Sequence, residues 1–434
     1  MIGERVIRGL ILGLAVTLIA VTARAAEDPF AIGKAPADDR QQVLVLLKMP
    51  AEHYRPNADY AGGYGAGAGQ TARRRIAQQV ASHHGLTLVT SWPMPLLGLD
   101  CFVMAVPDGR SPDEAAAQLA HDPQVESSEP MHLYGARGQT AGAAEPAKAS
   151  PAPSPAADHN DPLFHMQPAA SQWRLAELHQ SATGRGVRVA VIDSKVDAGH
   201  PDLAGQIQLS QDFAPDHPAA GEQHGTGVAG VIAGIADNHL GIAGVAPRAR
   251  ILALRACWRG TGDATVCDTL SLAKALHYAV DHDAKVINLS LSGPSDALLG
   301  KLVDVALARG TVVVAAYDPA LARGGFPASH AGVVAATDDP ALAGEAYLAP
   351  GRDVPTTQPG GRWFLVNGSS YSAAHVSGLF ALLRERSGRP TSGLSLVSAH
   401  PGGGGIDACA TLSRGGGSVC GPGSPPANPA IARQ

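Results

Sequence analysis

The chain has 434 residues, 45% of them hydrophobic, and a formal net charge of -5. That length allows two or three domains, and so mild a charge gives no basis for a nucleic-acid or acidic-surface partner. Aromatic residues are scarce at 4%, while the 51 glycines and 33 prolines suit a loop-rich fold of small residues.

Arg5 and Arg8 precede an apolar run from Gly9 to Val21, and Ala23-Arg24-Ala25 follows. This reads as a secretory signal peptide over 1–25, with a small-x-small cleavage site. The alternative is an uncleaved anchor, but the run is short for a span. No other stretch approaches that length. The expected product is therefore secreted, periplasmic or extracellular, with no membrane span after signal removal. Export permits disulfides. Among five cysteines, Cys257 with Cys267 and Cys409 with Cys420 form two local pairs, leaving Cys101 over.

Residues 26–136 carry a small α+β unit. Val43 to Leu47, Leu86 to Trp92, Phe102 to Val106 and Val125 to Pro130 are predicted strands. Thr71 to His84 is a predicted helix stopped by Gly85, with Ile76 and Val80 on one face. Ser111-Pro112-Asp113-Glu114 is a second helix start, with a serine cap, proline at the first position and glutamate at the third. The order β-α-β-β-α-β is that of a ferredoxin-like sandwich. The glycine-rich stretch from Asn57 to Gly69 is expected to be a loop. Residues 137–158 are rich in Ala, Pro, Ser and Gly and read as an exposed linker.

From 159 to 395 strands alternate with helices. Val187 to Ile192, Ala249 to Leu254, Lys285 to Leu291, Thr311 to Ala316 and Val333 to Ala336 are expected strands. Leu270 to Val280 and Ala297 to Arg309 are expected helices. The pattern predicts an α/β fold, a doubly wound and mostly parallel sheet. In such sheets active residues gather at the carboxyl ends of the strands. The tail, 396–434, is glycine-rich and polar and reads as a covering appendage closed by Cys409 and Cys420. By the chain-entropy account that loop would stabilise by about 3 kcal/mol.

Three segments form a constellation. Asp193 follows the first of these strands, His224 opens a small-residue helix, and Ser370 opens another after the Asn367-Gly368 turn. Serine nucleophiles need a base for the hydroxyl proton and a carboxylate to orient that base. A serine on a helix's first turn also sits among unpaired N–H groups at the positive dipole end, where developing negative charge is stabilised.

The order Asp, His, Ser on this pattern resembles the subtilisin-like serine peptidases (subtilases). Val189-Ala190-Val191-Ile192-Asp193 with His200-Pro201-Asp202-Leu203 resembles the family's aspartate motif. His224-Gly225-Thr226 with Val228-Ala229-Gly230 resembles its histidine motif. Gly368-Ser369-Ser370 with His375-Val376 resembles its serine motif. Gly244-Val245-Ala246-Pro247 and Ala349-Pro350-Gly351 also fall where the family has them. The resemblance implies a secreted endopeptidase acting on peptides and proteins. Ser370 would be nucleophile, His224 general base and then acid, and Asp193 its orienter. Ser290, Leu291, Ser292 and Gly293 resemble one wall of the primary substrate pocket, which would pair with an extended peptide. The front unit would be a propeptide that assists folding, inhibits, and is cut off between about Gly135 and Asn160. No cofactor is expected. Calcium is bound by many subtilases but is not assignable here, and Asp216, Asp237 and Asn238 read as solvated loop residues.

The sequence departs from the family at several places. Asp318 stands where the family has an asparagine that donates to the oxyanion. Either a protonated Asp318 donates instead, or it points away and the Ser370 backbone N–H serves. Lys195 replaces a glycine, Gly227 a second histidine, Tyr371 a frequent methionine and Ala374 a proline. Asp318 and Lys195 support the alternative of a subtilase-fold peptide-binding protein with weak or no activity.

Overall fold

The computed structural model describes residues 41–48, 65–136, 139–143, 158–217, 222–260, 264–388, 396–399 and 405–421. The expected signal peptide and most of the expected linker lie outside the described residues.

The central sheet has seven strands, all paired in parallel. Its order is Tyr347–Leu348, Val334–Thr337, Val312–Ala316, Val286–Leu289, Arg188–Asp193, Arg250–Arg255 and Ile207–Asp212. Successive strand residues feed opposite cores. Val189, Val191, Ile251, Ala253, Val312 and Val314 face one cluster with helices Gln223–Ala233 and Ser369–Ser387. Ala190, Ile192, Leu252, Leu254, Val313 and Ala315 face a second cluster with helices Thr269–Asp281 and Ala297–Ala308. A strand covered on both faces must be apolar at every position, which is why these read as continuous hydrophobic runs.

Helix termini follow local chemistry. Asp268 and Asp296 cap their helices by accepting from Ser271 N at 2.6 Å and Leu299 N at 3.0 Å. Gly388, at φ 59°, closes the long helix in the left-handed conformation.

The N-terminal unit has strands Gln42–Leu47, Thr87–Met94, Leu99–Ala105 and Val125–Pro130, and helices Gly65–His83 and Pro112–Leu119. Its antiparallel sheet is ordered with Gln42–Leu47 between Leu99–Ala105 and Val125–Pro130, and Thr87–Met94 outermost. Val43, Val45, Phe102 and Met104 pack under the unit's own helices. Leu44, Leu46, Cys101 and Val103 face the other way, into the second core of the main body. The unit thus uses the main body to cover its second sheet face. Gly65 to Gly69, expected as loop, belong to the first helix. Their helix cost of about 1 kcal/mol per glycine is carried by the continuous helix that follows.

Two other expectations change. Lys285 to Leu291 is not one strand: it breaks after Leu289, and Leu291–Ser292 joins a different sheet. Nor is the tail merely a cover. Asp407 caps helix Ala408–Ser413 by accepting from Ala410 N at 2.8 Å, and Ile406, Ala408 and Leu412 enter the first core. Polar composition hid these few apolar residues. The Cys409–Cys420 disulfide closes the segment.

Leu412 is completely buried, so Leu412→Ala should cost about 2–5 kcal/mol, read from denaturant unfolding. A loss below about 1 kcal/mol would exclude the tail from the core.

Candidate active site

Asp193 is the last residue of a central strand, and His224 is the second residue of the helix Gln223–Ala233. His224 Nδ1 lies 2.8 Å from Asp193 Oδ1 and 3.0 Å from Oδ2. Both carboxylate oxygens are acceptors, so Nδ1 carries the proton and Nε2 presents its lone pair. Nε2 is buried and has no hydrogen-bond partner among the described residues. Asp193 Oδ1 also accepts from Ser194 N at 2.6 Å, which fixes the carboxylate.

This pair depends on close approach of backbone. A Cβ at Gly225 would fall 2.3 Å from the Ser194 carbonyl oxygen. Gly225 N donates to Ser194 Oγ at 3.0 Å. At Gly230 a Cβ would meet Thr357 Oγ1 at 2.2 Å. The small residues of this helix therefore let it lie against both the Asp193 strand and the hairpin strand Val354–Gln358.

Ser370 occupies the first turn of helix Ser369–Ser387, whose first turn follows Gly368 at φ 131°. Ser370 Oγ donates to the Ser290 carbonyl at 3.0 Å, and Ser290 Oγ donates to the Ser370 carbonyl at 2.9 Å. Asn288 Nδ2 donates to Ser290 Oγ at 2.8 Å, and Ser377 Oγ donates to Asn288 Oδ1 at 2.9 Å. This fully buried polar ladder pins the helix to a strand end. Asn288 was passed over in the sequence, where its signal is a polar residue inside Val286-Ile287-Asn288-Leu289.

The strand Leu133–Ala136 lies between two strands of the main body. It pairs antiparallel with Leu291–Ser292, matching Leu291 with Ala136 and Ser292 with Gly135. On its other side it pairs with Thr265–Asp268, matching Val266 with Gly135 and Cys267 with Tyr134. Of the expected wall, Leu291 and Ser292 form the pairing edge. Gly293 makes room for Tyr134, whose ring atom is 2.4 Å from where a Cβ would stand. Ser290 serves Ser370 instead. Thr265–Asp268, which the sequence pattern did not disclose as a strand, is joined by the Cys257–Cys267 disulfide to Cys257–Arg259. Beyond Ala136 the chain returns as Gln139–Ala143, paired with Arg362–Asn367, Asn367 opposite Gln139. That stretch had been expected as part of an exposed linker. It is a strand because an unpaired neighbour strand offered it backbone partners.

Several departures from the family pattern now have a physical reading. Tyr371 and Gly227 belong to one packing unit. A Cβ at Gly227 would stand 3.3 Å from Tyr371 Cε1 and 3.0 Å from Thr356 Cγ2. Tyr371 is buried, with its ring 5.8 Å from that of His224, so it backs the imidazole. Lys195 is exposed, and its N–H, not its ammonium, reaches Glu222 Oε2 at 2.8 Å. It therefore does not compete for Asp193. Asp318 is buried, and its carboxylate accepts from Ser292 Oγ at 3.1 Å and Ala320 N at 3.0 Å. These two contacts engage both oxygens of the carboxyl group. His375, one turn beyond Ser370, is no second base. Burial lowers its pKa to about 4, and Nδ1 is held by the Tyr371 carbonyl at 2.8 Å.

The loop near Asp202 is built around a buried carboxylate. Burial raises the Asp202 pKa to about 6. Its carboxylate accepts from Asn238 Nδ2 at 2.8 Å, Trp363 Nε1 at 2.9 Å and Ile242 N at 3.0 Å. Converging donors do not make a cation site. Asn238, expected as a solvated loop residue, is an anchor here. Asp237 is largely exposed but holds His159 Nδ1 at 3.0 Å. Asp216 is exposed.

Residues 184–395 match the family described as the subtilase family. Thermitase of Thermoactinomyces vulgaris is 35% identical over 54% of this chain and 88% of its own length. A thermophilic serine proteinase of a Bacillus species is 41% identical over 46% of this chain and 52% of its own length. Subtilisin E of Bacillus subtilis is 35% identical over 49% of this chain and 59% of its own. The chain thus spans little more than half of the latter two. Among solved structures, fervidolysin from Fervidobacterium pennivorans, titled a keratinolytic enzyme related to subtilisin, has a TM-score of 0.64 at 21% identity. That likeness covers 88% of this chain and 61% of that one, and it is one of fold.

Gly225→Ala should separate His224 from Asp193. Overpacking of this kind costs about 1–3 kcal/mol of stability. A displacement of the order of 1 Å should lower the rate of fluorophosphonate labelling at Ser370 by about 10²-fold. Unchanged labelling would show that the close approach is not required.

Proposed function

The chain belongs to the subtilase family of serine endopeptidases, and we propose that it hydrolyses peptide bonds through Asp193, His224 and Ser370 after cutting itself free of its N-terminal unit. His224 Nε2 takes the Ser370 hydroxyl proton as Oγ attacks the substrate carbonyl, then delivers it to the leaving amine. Asp193 holds the tautomer and stabilises the imidazolium. The Ser370 backbone N–H, at the positive end of its helix, stabilises the oxyanion. Substrates are peptides and proteins bound by strand addition between Leu291–Ser292 and Thr265–Asp268.

The observation that carries this reading is the path of the chain itself. It runs as Leu133–Ala136 beside Leu291–Ser292 and continues as Gln139–Ala143 beside Arg362–Asn367, which leads directly into Ser370. In the sequence, residues 137–138 separate these strands. We place self-cleavage between Ala136 and Gln139, within the segment expected from the sequence. Residues 26–136 then act as an inhibitory propeptide, and residues 1–25 direct export. No cofactor is required by the roles assigned. The competing peptide-binding reading draws on Asp318 and predicts no self-cleavage.

Full-length protein incubated at neutral pH should yield a new N-terminus between residues 137 and 139, and Ser370→Ala should remain intact. Persistence of the full chain in the native protein, together with failure to react with a fluorophosphonate, would exclude peptidase action.

Docking of the N-terminal unit should also depend on pH. Glu129 accepts from Ala297 N at 2.8 Å, at the start of helix Ala297–Ala308. His132 Nδ1 lies 3.1 Å from Asp296 Oδ2. The hydrogen bond to Asp296 raises the His132 pKa, and burial raises that of Glu129. Both groups bind protons more tightly when docked than when free. Docking is therefore strongest below the ordinary histidine value and is lost as pH rises through the raised one. In Ser370→Ala protein, hydrogen-exchange protection of Leu133–Ala136, corrected for intrinsic rates, should fall as pH rises through and above the ordinary histidine value. His132→Gln should flatten that fall. Protection that rises over this range would contradict the assignment.

A further inference from the structure

The strands Val286–Leu289 and Val312–Ala316 lie side by side in parallel. The first continues into Ser290, Leu291 and Ser292, the second into Tyr317 and Asp318. The two continuations face each other: Ser292 Oγ donates to Asp318 Oδ2 at 3.1 Å. Ser292 is also the residue opposite Gly135 of the strand Leu133–Ala136. Asp318, 1% exposed, therefore sits in the wall along which a peptide substrate runs.

We propose that Asp318 determines the primary specificity of the site, selecting substrates with arginine or lysine as the residue whose carbonyl is attacked. This rests on the peptidase reading above. A peptide in the register of Leu133–Ala136 brings its next residue abreast of Ser290, whose carbonyl accepts from Ser370 Oγ at 3.0 Å. That residue is the one attacked. Ser292 lies two residues along the same strand, roughly 7 Å away. An extended lysine or arginine side chain spans that distance, and a short polar one does not.

Charge gives the same answer. The carboxylate accepts from Ser292 Oγ and Ala320 N, two of the contacts that hold it on this wall. Attack by Ser370 creates an oxyanion in the same dry wall. A carboxylate in that wall repels the oxyanion where water is excluded. A cationic side chain offsets the carboxylate and removes that penalty. The preference should therefore appear in kcat as well as in KM, because the repulsion grows as the oxyanion forms. The chain's own sequence follows Ala136 with Arg137. Asp318 is thus a specificity-determining residue; Ser292 positions its carboxylate.

The test uses the processed enzyme and fluorogenic peptides Tyr-Gly-Ala-X, with X as arginine, lysine, citrulline or leucine. Citrulline keeps the shape of arginine without its charge. Arginine should exceed citrulline in kcat/KM by about 10²-fold or more, as expected for a buried charge pair. Asp318→Asn should shrink that ratio to within about threefold and raise the rate on leucine. Ser292→Ala should lower the ratio part of the way. Fluorophosphonate labelling shows that each variant retains a working nucleophile. Wild-type enzyme that cleaves citrulline or leucine as fast as arginine overturns the proposal, as does an Asp318→Asn variant that keeps the ratio. If wild-type protein neither labels nor cleaves any peptide, the peptidase reading fails and takes this proposal with it. If it labels and cleaves without favouring arginine, only the specificity assignment fails.

Discussion

The contact between the Asp193 carboxylate and His224 Nδ1 is the constraint that most of the main body satisfies. It joins the end of a strand to the start of a helix 31 residues later. The two elements can meet only if their backbones touch, and Gly225 over the Ser194 carbonyl is where they do. The parallel sheet supplies the strand end, and the small residues of Gln223–Ala233 supply the approach. The buried ladder of Ser377, Asn288, Ser290 and Ser370 does the corresponding work for the hydroxyl. Backbone and buried polar contacts of this kind resist rearrangement, because breaking one strands its partner away from water.

Leu291–Ser292 and Thr265–Asp268 leave a gap in their sheet, and the chain fills it with its own strand. Leu133–Ala136 completes the ladder between Leu291–Ser292 and Thr265–Asp268. The same backbone groups would serve any extended peptide, so inhibition and substrate binding share one set of contacts in the proposed reading. What distinguishes the internal strand is the surface behind it. The N-terminal sheet buries Leu44, Leu46 and Val103 against the helices of the main body. Glu129 adds a carboxylate at a helix N-terminus, where the dipole favours it.

Departures from the family pattern are not equivalent once packing is considered. Gly227 and Tyr371 are one change in two places, because the glycine vacates space beside the ring. Lys195 changes nothing at the site, because its side chain is in solvent. Asp318 is a buried carboxylate that accepts from Ser292 Oγ and Ala320 N. Sequence position ranks all of these alike; exposure and contacts separate them.

Local pattern was enough to identify the parallel strands, the capped helices and the pairing of Asp193 with His224. Val189 to Asp193 could be read because both faces of the strand are buried, and Ser111 and Gly388 could be read because end chemistry is local. The sequence could not disclose that residues 139–143 form a strand, that the tail contributes Leu412 to the core, or that Thr265–Asp268 pairs with Leu133–Ala136. Each of these depends on a partner far along the chain, and nothing in the local pattern encodes that partner. The direction of the Asp318 carboxylate was decided in the same way. Its residue type is written in the chain, but which donors it meets depends on where Ser292, 26 residues away, comes to rest.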